Sequence, residues 1–322
     1  MNKSILWVKE VFSQYHNKIL KIQNIRQVPW SVVYRISTLK GIYFLKVTHP
    51  IYSDEWKILK YFNKHHYLHV PQMLAYHPEY NSILLKDAGP SFHDCFHGQY
   101  MHKLILKVIK NYVSIQLKSS HDIQKLNKII SMNCQLKDLP LNLQSFLQVE
   151  QEILLKDGLK LCDLSVLSNL IDRIEQICLW IDDFKIPSAI EHGDLFDENF
   201  NFKKGNITIT DWADAGVGHP FFSFGFLFNR LQENYAISLP QYLNLKNCYL
   251  SHWRSYATRP QLNQILLIMN SLSRLRTIIS YSRIAKLNKN KEMNIYKGYL
   301  CKNFLTFINE FNLLSDTYLK NI

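Results

Sequence analysis

The chain has 322 residues, of which 47% are hydrophobic and 20% charged. That composition excludes a disordered chain, and the length suits two units, each with its own core. The net charge is +12, yet the lysines are spread along the sequence, which reads as a solvated basic surface and not as a nucleic-acid tail.

The six cysteines, Cys95, Cys134, Cys162, Cys178, Cys248 and Cys301, form no CxxC pair. A zinc site is therefore not expected, and buried free thiols in a reducing compartment explain them. The N-terminal stretch is amphipathic, carries Glu10 and lacks a signal-peptide core. No apolar run has the length of a membrane span. A cytoplasmic protein without a membrane partner is the expectation.

In chain order, Ile5, Val8, Phe12, Tyr15 and Ile19 predict one helical face over residues 4–20. QVPWSVVYRIS then reads as a strand, Thr38–Gly41 as a turn and IYFLKVT as the second strand of a hairpin. SDEWKILKYFNKHH predicts a helix over 53–66, with Ser53 or Asp54 as N-cap. Pro71 opens an extended region, and NSILLKDAG reads as a strand running into a loop. This β-β-α-β-β order predicts a small sheet-rich unit ending near residue 88. From residue 100 the period becomes helical, through Leu104, Val108, Tyr112 and Ile115, then from Leu164 to Ile181. One non-helical island, IEHGDLFDENFNFKKGNITITDWADAGVGHP, interrupts the helices. It holds two short strands, FNF and ITIT, around a turn at Lys203–Asn206, and helices resume at Phe222.

The island carries the chemistry. Asp194 follows His192-Gly193, Asn199 comes five residues later, and Asp211 ends the apolar strand. Transfer of a phosphoryl group needs one carboxylate to orient the attacking hydroxyl and hard oxygen ligands for Mg²⁺, and an Asn amide with an Asp carboxylate suits that ion. A hairpin between Asn199 and Asp211 can bring both to one end of the strands. Taken singly, each of these residues could equally be a turn or cap residue.

HGDLFDEN followed by ITITDW resembles the HGDxxxxN and (I/V)xDW motifs of the aminoglycoside phosphotransferase and choline kinase-like family. The resemblance runs from about residue 25 to 260 and implies an α+β, protein-kinase-like bilobal fold. Residues 1–88 would form the nucleotide-binding lobe and 89–322 the larger, mainly helical catalytic and substrate-binding lobe. It further implies ATP and Mg²⁺ as cofactors and a small-molecule hydroxyl as acceptor, such as an amino sugar, sugar or choline-like metabolite, with no nucleic-acid partner. Asp194 would be the catalytic base, and Asn199 and Asp211 the metal ligands. Lys46, in YFLKV, and Glu55, early in the next helix, resemble the family's Lys–Glu pair. SILLKDAG falls where the inter-lobe hinge lies, so backbone groups around Leu85, Lys86 and Asp87 would meet adenine.

PWSVVYR occupies the place of the nucleotide-covering loop without a GxG, leaving Ser31 to offer its N–H and hydroxyl. That departure motivates an alternative, a pseudokinase or nucleotide-binding scaffold without turnover. The Trp after Asp211, where protein kinases have Phe-Gly, favours small-molecule acceptors. Asp197, Glu198 and Asp214 read either as an acidic floor for a cationic acceptor or as solvated acids and support for the metal ligands.

Overall fold

A computed structural model describes residues 3–287 and 297–318. The elements run α1 (Lys3–Gln14), β1 (Ile19–Val28), β2 (Ser31–Thr38), β3 (Gly41–Thr48), α2 (Asp54–Lys64), β4 (Met73–His77), β5 (Ser82–Lys86) and α3 (Phe92–Phe96). There follow α4 (His102–Ser120), α5 (Ile123–Leu126), β6 (Asn133–Cys134), α6 (Leu139–Val149), α7 (Gln151–Asp157), α8 (Leu161–Asn169) and α9 (Ile171–Asp182). Next come β7 (Ala189–Glu191), β8 (Phe200–Lys203), β9 (Asn206–Ile209), β10 (Gly216–Gly218), α10 (Phe222–Tyr235), α11 (Leu239–Leu250), α12 (Arg259–Leu287) and α13 (Tyr299–Tyr318). Packing groups residues 1–98 with 197–214 as one compact unit, and 99–196 with 215–322 as another.

The first unit is built on a five-stranded sheet in the order β1-β2-β3-β5-β4. Helix α1 lays Val8, Val11 and Phe12 on Ile36, Leu45 and Leu84, one apolar stripe against one sheet face. The β8–β9 hairpin belongs to this unit. Its tip residues Lys204 and Gly205 both have positive φ, 49° and 81°, the geometry of a type I′ turn that matches strand twist. The segment after β5 packs on β8: Phe202 N–H donates to Pro90 O (2.9 Å) and Asn201 to Gly89 O (2.7 Å). A Cβ on Gly89 would lie 1.9 Å from Phe202 O, so only glycine permits that approach.

Three expectations change. Residues 27–37 are not one strand but the end of β1, a turn at Pro29–Trp30, and β2, with Val28 paired to Ser31. Proline has no N–H for a ladder and marks the turn. Strand β1 itself is mostly exposed and polar, so no alternation announced it. The first helix stops at Gln14, and Ile19 opens β1 instead of extending the helix. The stretch from Leu164 to Ile181 is two helices, α8 and α9, parted at Leu170. In α2, Ser53 stands at the N-cap position but makes no side-chain cap bond.

The second unit is mainly helical around a three-stranded sheet, β6-β10-β7. Its core is aromatic. Phe224 stacks on Tyr249 with ring centres 3.6 Å apart, and Phe221 meets Trp253 edge-on at 5.8 Å. Buried Leu262, Ile265, Met269, Leu272 and Leu275 repeat along α12 at helical spacing, and Phe304, Phe307 and Phe311 do so along α13. Among the described residues, no helix is long and apolar enough to cross a membrane.

Candidate functional site

In the first unit, Lys46 stands on β3, whose register pairs it with Val33 of β2 and Ile83 of β5. It is therefore in the middle of the sheet, not at an edge. The Asn81 amide fixes the exit from β3, donating to Thr48 O (3.0 Å) and His49 O (2.9 Å). The chain then turns into α2 and brings Glu55 beside Lys46. Lys46 Nζ donates to Glu55 Oε1 at 2.8 Å and to Asp211 Oδ1 at 2.6 Å. Glu55 is 2% exposed and Lys46 12%, whereas Asp211 keeps 35% of its side chain accessible.

Asp211 is held from behind. Trp212, fully buried, donates its indole N–H to Ile209 O (2.8 Å) and meets Phe62 of α2 edge-on at 4.9 Å. The helix that carries Glu55 thus also anchors the residue after Asp211. Asp211 has φ 61°, a left-handed conformation unusual for a residue with a Cβ. Such strain persists only where the surroundings enforce it. Asn199 lies at the same end of the β8–β9 hairpin, because Thr210 N–H donates to Asn199 O at 2.9 Å. The hairpin therefore gathers an amide and a carboxylate, both hard oxygen donors of the kind Mg²⁺ takes. Among the described residues, no group of three His, Cys, Asp or Glu side chains gathers as a metal cluster.

Burial alone would lower the Lys46 ammonium, but Asp211 and Glu55 outweigh it, so Lys46 lies above its usual value. Burial pushes Glu55 up to about 7 against the pull of Lys46. The second oxygen of Glu55, Oε2, is buried and makes no hydrogen bond to any described residue, which agrees with that upward shift.

The remaining nucleotide-site candidates lie in the same unit. Ser31 follows the Pro29–Trp30 turn, and its hydroxyl is buried without a hydrogen bond to a described residue. Leu85 is paired on both sides, to Phe44 and Met73, so its backbone lies within the sheet. Asp87 lies just beyond the strand. Its carboxylate accepts from Gly89 N (2.9 Å) and from Lys203 Nζ (2.8 Å). Of the proposed acidic floor, Asp197 is only 3% exposed and faces His93 Nδ1 at 3.4 Å, Glu198 is exposed, and Asp214 acts on Glu55 electrostatically. The three do not form one open acidic surface.

Asp194 belongs to the second unit. Its loop leaves β7 through His192, whose Nδ1 accepts the Asp194 N–H at 3.3 Å. The buried His192 ring thus shapes the loop. The His192 N–H in turn donates to the hydroxyls of Tyr112 (3.1 Å) and Ser223 (3.0 Å). Neither hydroxyl was singled out in the sequence. The one available signal was a set of polar residues, Tyr112, Gln116, Glu191 and Ser223, at positions whose neighbours are apolar.

This architecture is a protein-kinase-like α+β fold, with a sheet-rich N-terminal part and a helical C-terminal part. Solved structures with the same fold include an ethanolamine kinase from Plasmodium vivax, with TM-score 0.60, 13% identity and coverage of 90% of this chain and 81% of that one. A choline kinase from Cryptosporidium parvum gives TM-score 0.58, 16% identity, and coverage of 92% and 90%. The aminoglycoside phosphotransferase APH(4)-Ia gives 0.58, 13%, 96% and 99%. A thermostable mutant of that enzyme is a ternary complex with ADP and hygromycin B. No family model matches the sequence, and no curated protein matches it.

Proposed function

We propose that the protein is an ATP-dependent phosphotransferase that moves the γ-phosphate to a hydroxyl of a small molecule. The observation that carries this reading is the ion-paired group Lys46–Glu55–Asp211, in which one cation is held between an acid from α2 and an acid from a motif 165 residues away. A scaffold has no chemical use for so costly a buried arrangement. In this reading Lys46 contacts the phosphates, Glu55 orients it, and the orphaned Ser31 hydroxyl offers a further donor. The first backbone groups beyond the paired part of β5, at Asp87, face adenine in preference to Leu85 and Lys86, which are paired within the sheet. Residues 1–88 act as the nucleotide lobe and 89–322 as the catalytic lobe.

Asn199 and Asp211 would hold Mg²⁺, which when bound neutralises charge on the phosphates. Asp194, five residues before Asn199 in the chain, accepts the proton of the acceptor hydroxyl. Relatives of this fold named for ethanolamine, choline and hygromycin B point to polar small molecules bearing a hydroxyl. A cytoplasmic setting, where ATP is available, fits the reading.

The tight Pro29–Trp30 turn favours a second reading, a nucleotide-binding scaffold, because it offers no glycine-rich loop to close over phosphates. A thermal-shift titration with ATP and Mg²⁺, followed by a labelled-ATP assay over hydroxyl acceptors, separates the two. Stabilisation with transfer supports the kinase. Stabilisation without transfer to any acceptor, and without basal hydrolysis, supports the scaffold. No stabilisation contradicts both.

A further inference from the structure

The loop before Asp194 is held by a hydroxyl, and that hydroxyl has its own buried acid. Ser223, at the start of α10 and 1% exposed, accepts through Oγ from His192 N–H (3.0 Å) and Gly193 N–H (3.3 Å). Glu191, the last residue of β7 and fully buried, accepts from Ser223 N–H at 2.5 Å and from the Gln116 amide at 2.6 Å, and it also engages the Ser223 side chain. A serine hydroxyl has one hydrogen and two lone pairs. Both lone pairs face the loop, so its one hydrogen is left for the two side chains beside it, Glu191 and Tyr112. The acid placed there helps set which way the hydroxyl turns.

We infer that Ser223, oriented by Glu191, is a positioning residue that sets the backbone of the His192–Asp194 loop and so aims the Asp194 carboxylate. This rests on the phosphotransferase reading for its catalytic consequence, but not for its geometry. With Ser223 removed, the partly buried Gly193 N–H loses the Ser223 acceptor while the His192 N–H keeps only Tyr112, and the loop shifts to restore the missing bond. A shift of about 1 Å at such a distance from the chemistry costs on the order of 10²-fold in turnover.

The test uses the full chain, with basal Mg²⁺-dependent ATP hydrolysis and the amide exchange of Gly193 as readouts. Ser223→Ala is expected to lower kcat on the order of 10²-fold with KM for ATP unchanged, and to speed Gly193 exchange. The exchange variant Glu191→Gln with Ser223→Asp moves the carboxylate from β7 to α10, where it can accept both loop N–H groups directly. It is expected to recover most of the lost kcat and the Gly193 protection. The inference is overturned if Ser223→Ala keeps wild-type kcat and exchange. It is equally overturned if the double variant recovers neither while remaining folded. If the wild-type chain hydrolyses no ATP, the phosphotransferase reading fails, and Gly193 exchange in the same variants still decides the positioning role.

Discussion

The two units secure their buried polar groups by different means. In the first, opposite charges do it: one ammonium lies between two carboxylates, and one of those carboxylates keeps an oxygen without a hydrogen bond to any described residue. In the second, the loop N–H groups donate to a serine and a tyrosine hydroxyl, and a glutamine amide donates to the buried acid beside them. The charge cluster can be rearranged by a competing ion or phosphate. The loop's hydrogen bonds to Tyr112 and Ser223 are made within the chain.

The largest effect that sharpens this comparison is expected at Asp194. Asp194→Asn should cut turnover on the order of 10²–10⁴-fold while leaving ATP binding intact, read by labelled transfer beside a binding titration. Next, Lys46→Met should abolish the charge balance of the first unit. It leaves Glu55 and Asp211 uncompensated and should cost about 3–5 kcal/mol, measured by urea unfolding. An unfolding midpoint equal to wild type would break the claim that charge holds this region. Trp212→Ala should cost about 3–5 kcal/mol by opening a cavity under Asp211.

Smaller and pH-dependent effects separate the units further. Burial holds Glu191 at about 8, against 4.5 when unfolded, despite donors from Ser223 and Gln116 and the charge of Arg276. The folded state therefore binds more protons than the unfolded state between those values, and this group's contribution to stability falls as pH rises through them. Glu191→Gln should lose that slope, so its unfolding midpoint should improve relative to wild type from pH 5 to pH 8. His219 has the opposite sign. Burial holds it at about 3, against 6.5 unfolded, so wild type should lose stability as pH falls from 6.5 toward 3. His219→Asn, which keeps an acceptor for the Phe221 N–H, should lose less over that range. The smallest effect is Lys203→Ala. It breaks a partly exposed pair with Asp87 and should cost no more than about 1 kcal/mol.

What the sequence made legible depends on how local the signal is. Lys46 and Glu55 were expected to pair from the motif resemblance, and the fold joins their side chains, with Asp211 on the same ammonium and Asn199 in the same unit. The strand pieces FNF and ITIT and the turn between them were legible from β-branched residues and Lys204-Gly205. Strand β1 was not, since an exposed edge strand buries too little to impose alternation. The Ser223–Glu191 pair was not legible either. Its members lie 32 positions apart, and only the fold shows which backbone groups they satisfy. Between the two readings of Asp197, Glu198 and Asp214 the sequence could not choose, because a run of acids says nothing about burial, and Asp197 is enclosed.

In the proposed reading Asp194 supplies the base while Asn199 and Asp211 hold the metal. The most direct measurement is Mg²⁺ titration of ATP hydrolysis in wild type, Asp194→Asn, Asn199→Ala and Asp211→Asn. The account predicts that the Asn199 and Asp211 variants need more Mg²⁺ for half-maximal rate. Asp194→Asn should keep the wild-type Mg²⁺ midpoint and lose only its maximal rate. Equal Mg²⁺ midpoints in all four proteins would contradict it.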